Sequence, residues 1–105
     1  MTREEFAAYY FDHHAALARR LVPASVGLTH YVQNHALILG SPTSEAPFDC
    51  VAELGFPDRE ALERWQVWYA GPEGRILRED EEHFMDRAAR VVLVTEERVP
   101  PRGPV

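Results

Sequence analysis

With 105 residues and 46% apolar side chains, the chain has the length of one domain and the hydrophobic content for a modest core of its own. A net charge of -6 argues against nucleic-acid or anionic-membrane partners. All 11 basic residues are Arg, which excludes Lys imine chemistry. The lone Cys50 allows no internal disulfide and reads as a small buried hydrophobe. With no signal peptide and no apolar run near ~20 residues, the sequence reads as a cytoplasmic protein.

The first predicted element is a helix over residues 2–22. Thr2 and Glu5 have the spacing of a capping box, in which each side chain satisfies a free backbone N–H. On a helical wheel Phe6, Tyr10, Leu17 and Leu21 share a ~60° sector, flanked on opposite sides by His13 and His14. Residues 23–27 break the helix. A strand over 30–39 follows, and neither of its faces is cleanly polar, so both are expected to be covered. A turn-rich loop over 40–47 leads into a second strand over 48–56, and so short a loop predicts an antiparallel hairpin.

Asp58 is a predicted N-cap for a second helix with Ala61, Leu62, Trp65, Trp68 and Tyr69 on one face. Gly71-Pro72 interrupts it. A further helix over 73–89 is expected to bury Leu77, Phe84 and Ala88, and the acidic run 79–82 reads as its solvated face. A last strand over 91–95 (VVLVT) and a Pro-rich extended tail over 98–105 complete the chain. The order is α, β, β, α in two pieces, β. The order predicts an α+β, ferredoxin-like sandwich, with no segment of this sequence read as the usual first strand.

The stretches TREEFAAYYFDHHAAL and HYVQNHAL, with FDCVAELGF, the run 72–75 and DEEHFMDRA further on, resemble the EthD-domain family. The matching residues include Glu4, Glu5, Phe6, Tyr9, Tyr10, His14, Ala15 and Tyr31 to His35. The likeness runs from Thr2 to about Glu97 and implies a single domain. It implies a dimeric α/β barrel, in which the sheets of two protomers pack face to face with the helices outside. It further implies kinship with cofactor-independent monooxygenases and cyclases acting on phenolic or polyketide compounds.

His14 is the first candidate for chemistry. Imidazole, with an unperturbed pKa near ~6.5, exchanges protons near neutrality, and His14 matches the HA position of the family pattern. His13 reads as solvated. Tyr10, central in the apolar stripe, is the second catalytic candidate, able to hold an enolate or carbonyl oxygen or simply to pack in the core. Tyr31, Asn34, His35, Trp65, Trp68 and Phe84 are candidate substrate-binding residues. Asn34 and His35 point to opposite sides of their strand, and the aromatic rings suit a flat ligand as well as a core. His83 reads as solvated or ion-paired.

No metal site is expected. His30 and His35 face opposite ways, and there is no H-E-x-x-H or Cys/His cluster. No phosphate loop, dinucleotide fingerprint or G-x-S-x-G is present, so no cofactor is expected. These readings converge on a homodimeric, cofactor-independent enzyme for a small aromatic or polyketide-like molecule. The alternative is a non-catalytic small-molecule binding protein on the same fold.

Overall fold

A computed structural model describes residues 1–39 and 46–103. Most of the loop expected over 40–47 and the end of the tail therefore lie outside the described residues. Mixed helix and sheet are present, as the α+β expectation requires. The capping box forms as the sequence predicts: Glu5 N–H donates to Thr2 Oγ1 at 3.1 Å, and Thr2 N–H to Glu5 Oε1 at 3.0 Å. It starts helix α1, Arg3–Ala8. The chain then passes without interruption through a π-helical segment, Tyr9–His14, into α2, Ala15–Leu21. The π segment is the first departure from the 100° wheel. Its hydrogen bonds reach five residues back, with Ala15 N–H donating to the Tyr10 carbonyl. One extra residue per turn lets residues i+4 and i+5 straddle residue i.

A 3-10 turn, Ala24–Val26, ends at Gly27, whose φ of 87° is the left-handed conformation that glycine adopts without strain. Strands β1, His30–His35, and β2, Cys50–Gly55, form an antiparallel pair, with Tyr31 opposite Leu54 and His35 opposite Cys50. Both are shorter than the predicted strands, although one further hydrogen bond, Ala36 N–H to the Asp49 carbonyl, extends the ladder. Within the chain itself, one of the two sheet faces is covered. Tyr31, Gln33 and His35 are half-buried on the helix side, whereas His30, Val32 and Asn34 are exposed on the other.

Helix α3, Arg59–Ala70, is capped by Asp58, which accepts from Ala61 N–H at 2.9 Å. A 3-10 turn, Pro72–Gly74, joins it to α4, Arg75–Glu81. Gly74 has room for no side chain: a Cβ there would stand under 3.0 Å from the carbonyl oxygens of Trp68 and Tyr69. The core is built from Ala18, Val26, Trp68 and Leu77, with Leu17, Leu21, Tyr31, Phe56 and Trp65 packed around it.

Three expectations for the C-terminal third are corrected. The helix ends at Glu81 rather than at 89, because the chain turns there and brings Phe84 back against the aromatic rings of the first helix. Burying that ring outweighs the helix propensity of the segment. Ala88, expected to be buried, is exposed in the turns that follow. Residues 91–95 form no strand. Within the described residues no strand edge pairs with them, and Val92 and Leu93 are 75% and 80% exposed; β-propensity makes a strand only where a sheet surface receives it.

Candidate functional site

The π segment puts two aromatic-histidine pairs on neighbouring rows of the helix, Tyr9 with His13 and Tyr10 with His14. Their ring centroids are 4.7 and 5.4 Å apart. Helix α4 brings a carboxylate to the same place. Leu77, Asp80 and Glu81 share one stripe of α4 at i, i+3 and i+4, and all three are buried. The acidic run is therefore a solvated face only at Glu79 and Glu82; Asp80 and Glu81 are each 7% exposed.

A buried carboxylate is costly unless its oxygens are satisfied, and Asp80 has a partner on each. Its Oδ2 is 2.8 Å from His14 Nδ1. Its Oδ1 accepts from the Tyr9 hydroxyl at 2.5 Å and lies 3.3 Å from His13 Nε2. Burial by itself raises the Asp80 pKa. The hydrogen bonds from Tyr9 and His14, with the charge each histidine can carry, outweigh it and leave the carboxyl below its ordinary range. The same contact raises the Tyr9 phenol: its hydrogen bond to Asp80, then burial, push it up to about 12.

His14 itself is 4% exposed. Because Asp80 is ionised, the His14 nitrogen facing it is the donor, so Nδ1 carries the proton and Nε2 is the basic nitrogen. Phe84 stands edge-on to the imidazole at 4.9 Å and also touches Tyr10 at 5.0 Å. His13, expected to be solvated, is 57% exposed at its side chain yet still reaches Asp80.

On the sheet side, three side chains form a polar chain. The amide of Gln33 donates from Nε2 to the Tyr10 carbonyl at 3.1 Å and to the Tyr31 hydroxyl at 2.7 Å. Its Oε1 is then the acceptor for His35 Nε2 at 2.8 Å, which makes His35 the Nε2–H tautomer. His35 Nδ1 is buried with no hydrogen-bond partner among the described residues. The Tyr10 hydroxyl lies against that of Tyr31, and burial, reinforced by this neighbour, raises the Tyr10 phenol strongly. Tyr31 is raised as well, by burial above all.

The rows of the helix are ordered around its circumference: Tyr9 and His13 face Asp80, Tyr10 and His14 come next, and Phe11, Ala15 and Arg19 follow. Between that last row and the sheet lies a cavity of about 280 Å³, lined by Phe11, Ala15, Ala16, Arg19, Tyr31 and Gln33. A second, of about 180 Å³, continues toward Val22 and Leu28 and shares Arg19 and Tyr31 with the first. His14 does not line either cavity. It stands one row behind, beside Tyr10.

The structure thus brings Tyr10, His14, His35 and Phe84 together, with Tyr31 at the cavity. Asn34 is on the outer face, where its amide donates to the Val51 carbonyl and to Glu53. Trp68 belongs to the core, and Trp65 stacks on it and on Tyr69 at 5.7 and 5.4 Å; neither indole lines either of these two cavities. His83 is exposed. Sequence reasoning missed Asp80, Tyr9 and Gln33 as site residues. The available signal was the i, i+3 relation of Asp80 to Leu77, which places a carboxylate on the face expected to be buried.

Among the described residues, no three His, Cys, Asp or Glu side chains are arranged to hold a metal ion. No helix among them is long and apolar enough to cross a membrane. No curated protein matches the chain, and no solved structure matches it. The model of the EthD domain matches residues 1–88, a span that contains the paired strands, the π segment and α4 with Asp80. The chain belongs to the EthD domain family.

Proposed function

We propose that the protein is a cofactor-independent enzyme that moves a proton on a small aromatic or polyketide-like molecule, with His14 as the base. The observation that carries this reading is the 2.8 Å contact between His14 Nδ1 and the buried Asp80 carboxylate. A carboxylate on Nδ1 fixes the tautomer and stabilises the imidazolium that forms when Nε2 takes up a proton. In the proposed step a C–H or O–H proton of the substrate passes to His14 Nε2 and its electron pair stays on the substrate as an enolate or phenolate. Phe84 covers the imidazole, so its ring moves aside when substrate enters. The active form is a homodimer joined through the outer sheet face, where Val32 and Val51 are 37% and 56% exposed.

The test is deuterium exchange at the acidic C–H of an aromatic β-diketone such as benzoylacetone in D2O, followed by NMR. The assay does not depend on which reaction completes the cycle. Replacing His14 by Asn keeps an N–H donor for Asp80 while removing the base. The expected result is a loss of about 100-fold or more in protein-dependent exchange, the scale of general-base catalysis. Undiminished exchange by the folded variant overturns the assignment.

One observation favours a second reading. His14 is satisfied by Asp80 and stands behind the cavity rather than at its wall. On that reading the pair is a staple between α4 and the first helix, and the cavity binds a molecule without transforming it. Ligand affinity that survives His14→Asn, with no exchange by the unaltered protein, supports this alternative.

A further inference from the structure

The two adjoining cavities share two residues, Arg19 and Tyr31. Arg19 is the only charged side chain lining either of them, and among the described residues it has no ion pair or hydrogen bond. The Arg–carboxylate contacts among the described residues all lie elsewhere. The rest of the lining is apolar, with the exception of the Gln33 amide, and its hydrogen-bonding groups are already committed to Tyr10, Tyr31 and His35.

Tyr31 is in a different position. Its oxygen accepts from Gln33 Nε2 at 2.7 Å. A phenol whose oxygen accepts one hydrogen bond keeps its own proton to donate, and Tyr31 lines both cavities. The Arg19 guanidinium enters this space from the helix wall, beside the Phe11 ring and two alanine methyl groups, and the Tyr31 phenol and Gln33 close it from the sheet. The volume, about 280 Å³, is close to the lower end of the ~300–1,000 Å³ range of small-molecule sites. It suits a molecule of one or two rings.

We infer that this cavity takes a small aromatic carboxylate, with the carboxylate held by Arg19 and Tyr31 and the ring against Phe11. The planar guanidinium matches a carboxylate in geometry as well as charge. The phenol supplies a third hydrogen bond, and the flat ring fills the space between helix and sheet. A neutral phenol or ketone of the same shape leaves the guanidinium without its anion. This assignment rests on the reading of the cavity as the substrate site and narrows the substrate to acids. It concerns recognition alone and involves no bond making.

The experiment compares 2-naphthoate with neutral 2-naphthamide by calorimetric titration of the full chain. The unaltered protein is expected to bind the acid at least ten-fold more tightly than the amide. Arg19→Gln is expected to bring acid affinity down to that of the amide. Tyr31→Phe is expected to weaken acid binding several-fold and amide binding by less, since a hydrogen bond to a charged acceptor is the stronger. Arg19 is exposed, so its replacement leaves the thermal melting point in place, and a fall in affinity reports the contact itself. Equal affinity for acid and amide overturns the inference, as does unchanged acid binding by Arg19→Gln. His14→Asn separates the two proposals. It retains naphthoate binding if the recognition assignment is right, whatever becomes of its exchange activity. If Arg19→Gln binds as before while His14→Asn has lost exchange, the carboxylate assignment falls and the proton-transfer reading stands.

Discussion

Asp80→Asn changes one atom type at a buried position and tests whether the carboxylate is held as the geometry indicates. The side chain keeps its shape, so no cavity forms. What changes is the hydrogen bonding. The amide oxygen can still accept from one donor, Tyr9 or His14. The amide nitrogen must face the other side, where it meets a group that is itself a donor. If it faces His14, Nδ1 must become the acceptor and the proton must move to Nε2, the opposite tautomer. Hydrogen bonds to a charged group contribute about 1.5–3 kcal/mol net, against about 0.5–1.5 kcal/mol for neutral pairs. Two such bonds, to Tyr9 at 2.5 Å and to His14 at 2.8 Å, each lose the difference. The expected cost is about 2–3 kcal/mol, which leaves a typical domain folded and lowers its melting point by roughly 10–20 °C. Urea unfolding at pH 7, with the slope of the transition checked for constancy, measures it.

The same variant carries a pH signature. The Asp80 pKa is lowered in the folded chain from its ordinary 3.8. The stability contributed by its ionised form is thus complete above pH 3.8 and is lost as pH falls below that value through the folded pKa. The gap between the unaltered protein and Asp80→Asn is expected to be full at pH 7 and to narrow in acid. Equal stability at pH 7, or a gap that does not respond to acid, would refute the account of Asp80 as a paired, buried carboxylate.

Two further outcomes are expected. Tyr9 is pushed up to about 12 by its hydrogen bond to Asp80, so the stability from its neutral form is present below pH 10 and is lost as pH rises toward 12. Tyr9→Phe removes that alkaline dependence, as ultraviolet phenolate titration and unfolding between pH 9 and 12 can show. Gly74→Ala forces a methyl group against the carbonyl oxygens of Trp68 and Tyr69, which have no freedom to move within their helix. A loss of about 2 kcal/mol or more is expected, read as a fall in the urea midpoint; an unchanged midpoint contradicts the packing described at this turn.

Local signals carried well from sequence to structure where the cause is local. The capping box at Thr2 and Glu5, the Asp58 cap and the break at Gly71-Pro72 depend on neighbouring backbone groups alone, and all three form. The hairpin was legible because a short loop between two β-rich runs leaves few alternatives. The wheel set His13 and His14 alike at the edges of the apolar stripe, and the family pattern, not the wheel, singled out His14. Its partner was not legible, because a run of four acidic residues looks solvated in isolation. Only the burial of Leu77 one turn earlier marks Asp80 and Glu81 as inward. The π segment was invisible to a fixed 100° repeat, and it is the reason that His13 and Tyr9 also reach Asp80. The failures at Phe84, Ala88 and residues 91–95 are tertiary: whether a segment continues as a helix or joins a sheet depends on what stands beside it.

Glu81 extends the same lesson. It is buried next to Asp80 and is satisfied by the Tyr69 hydroxyl, which also accepts from Arg90 at 3.0 Å. One end of α4 thus carries two carboxylates into the interior, one toward the first helix and one toward α3. The first meets two imidazoles and a phenol, and the second a phenol and a guanidinium.

The central claim is that His14 presents a basic Nε2 because Asp80 holds the proton on Nδ1. Nitrogen-15 spectra of the imidazole-labelled protein at pH 9, above the unperturbed imidazole pKa near ~6.5, report the tautomer of each histidine directly. The account predicts that His14 is the Nδ1–H tautomer in the unaltered protein and loses that preference in Asp80→Asn. A His14 found as the Nε2–H tautomer, or one indifferent to Asp80→Asn, contradicts it.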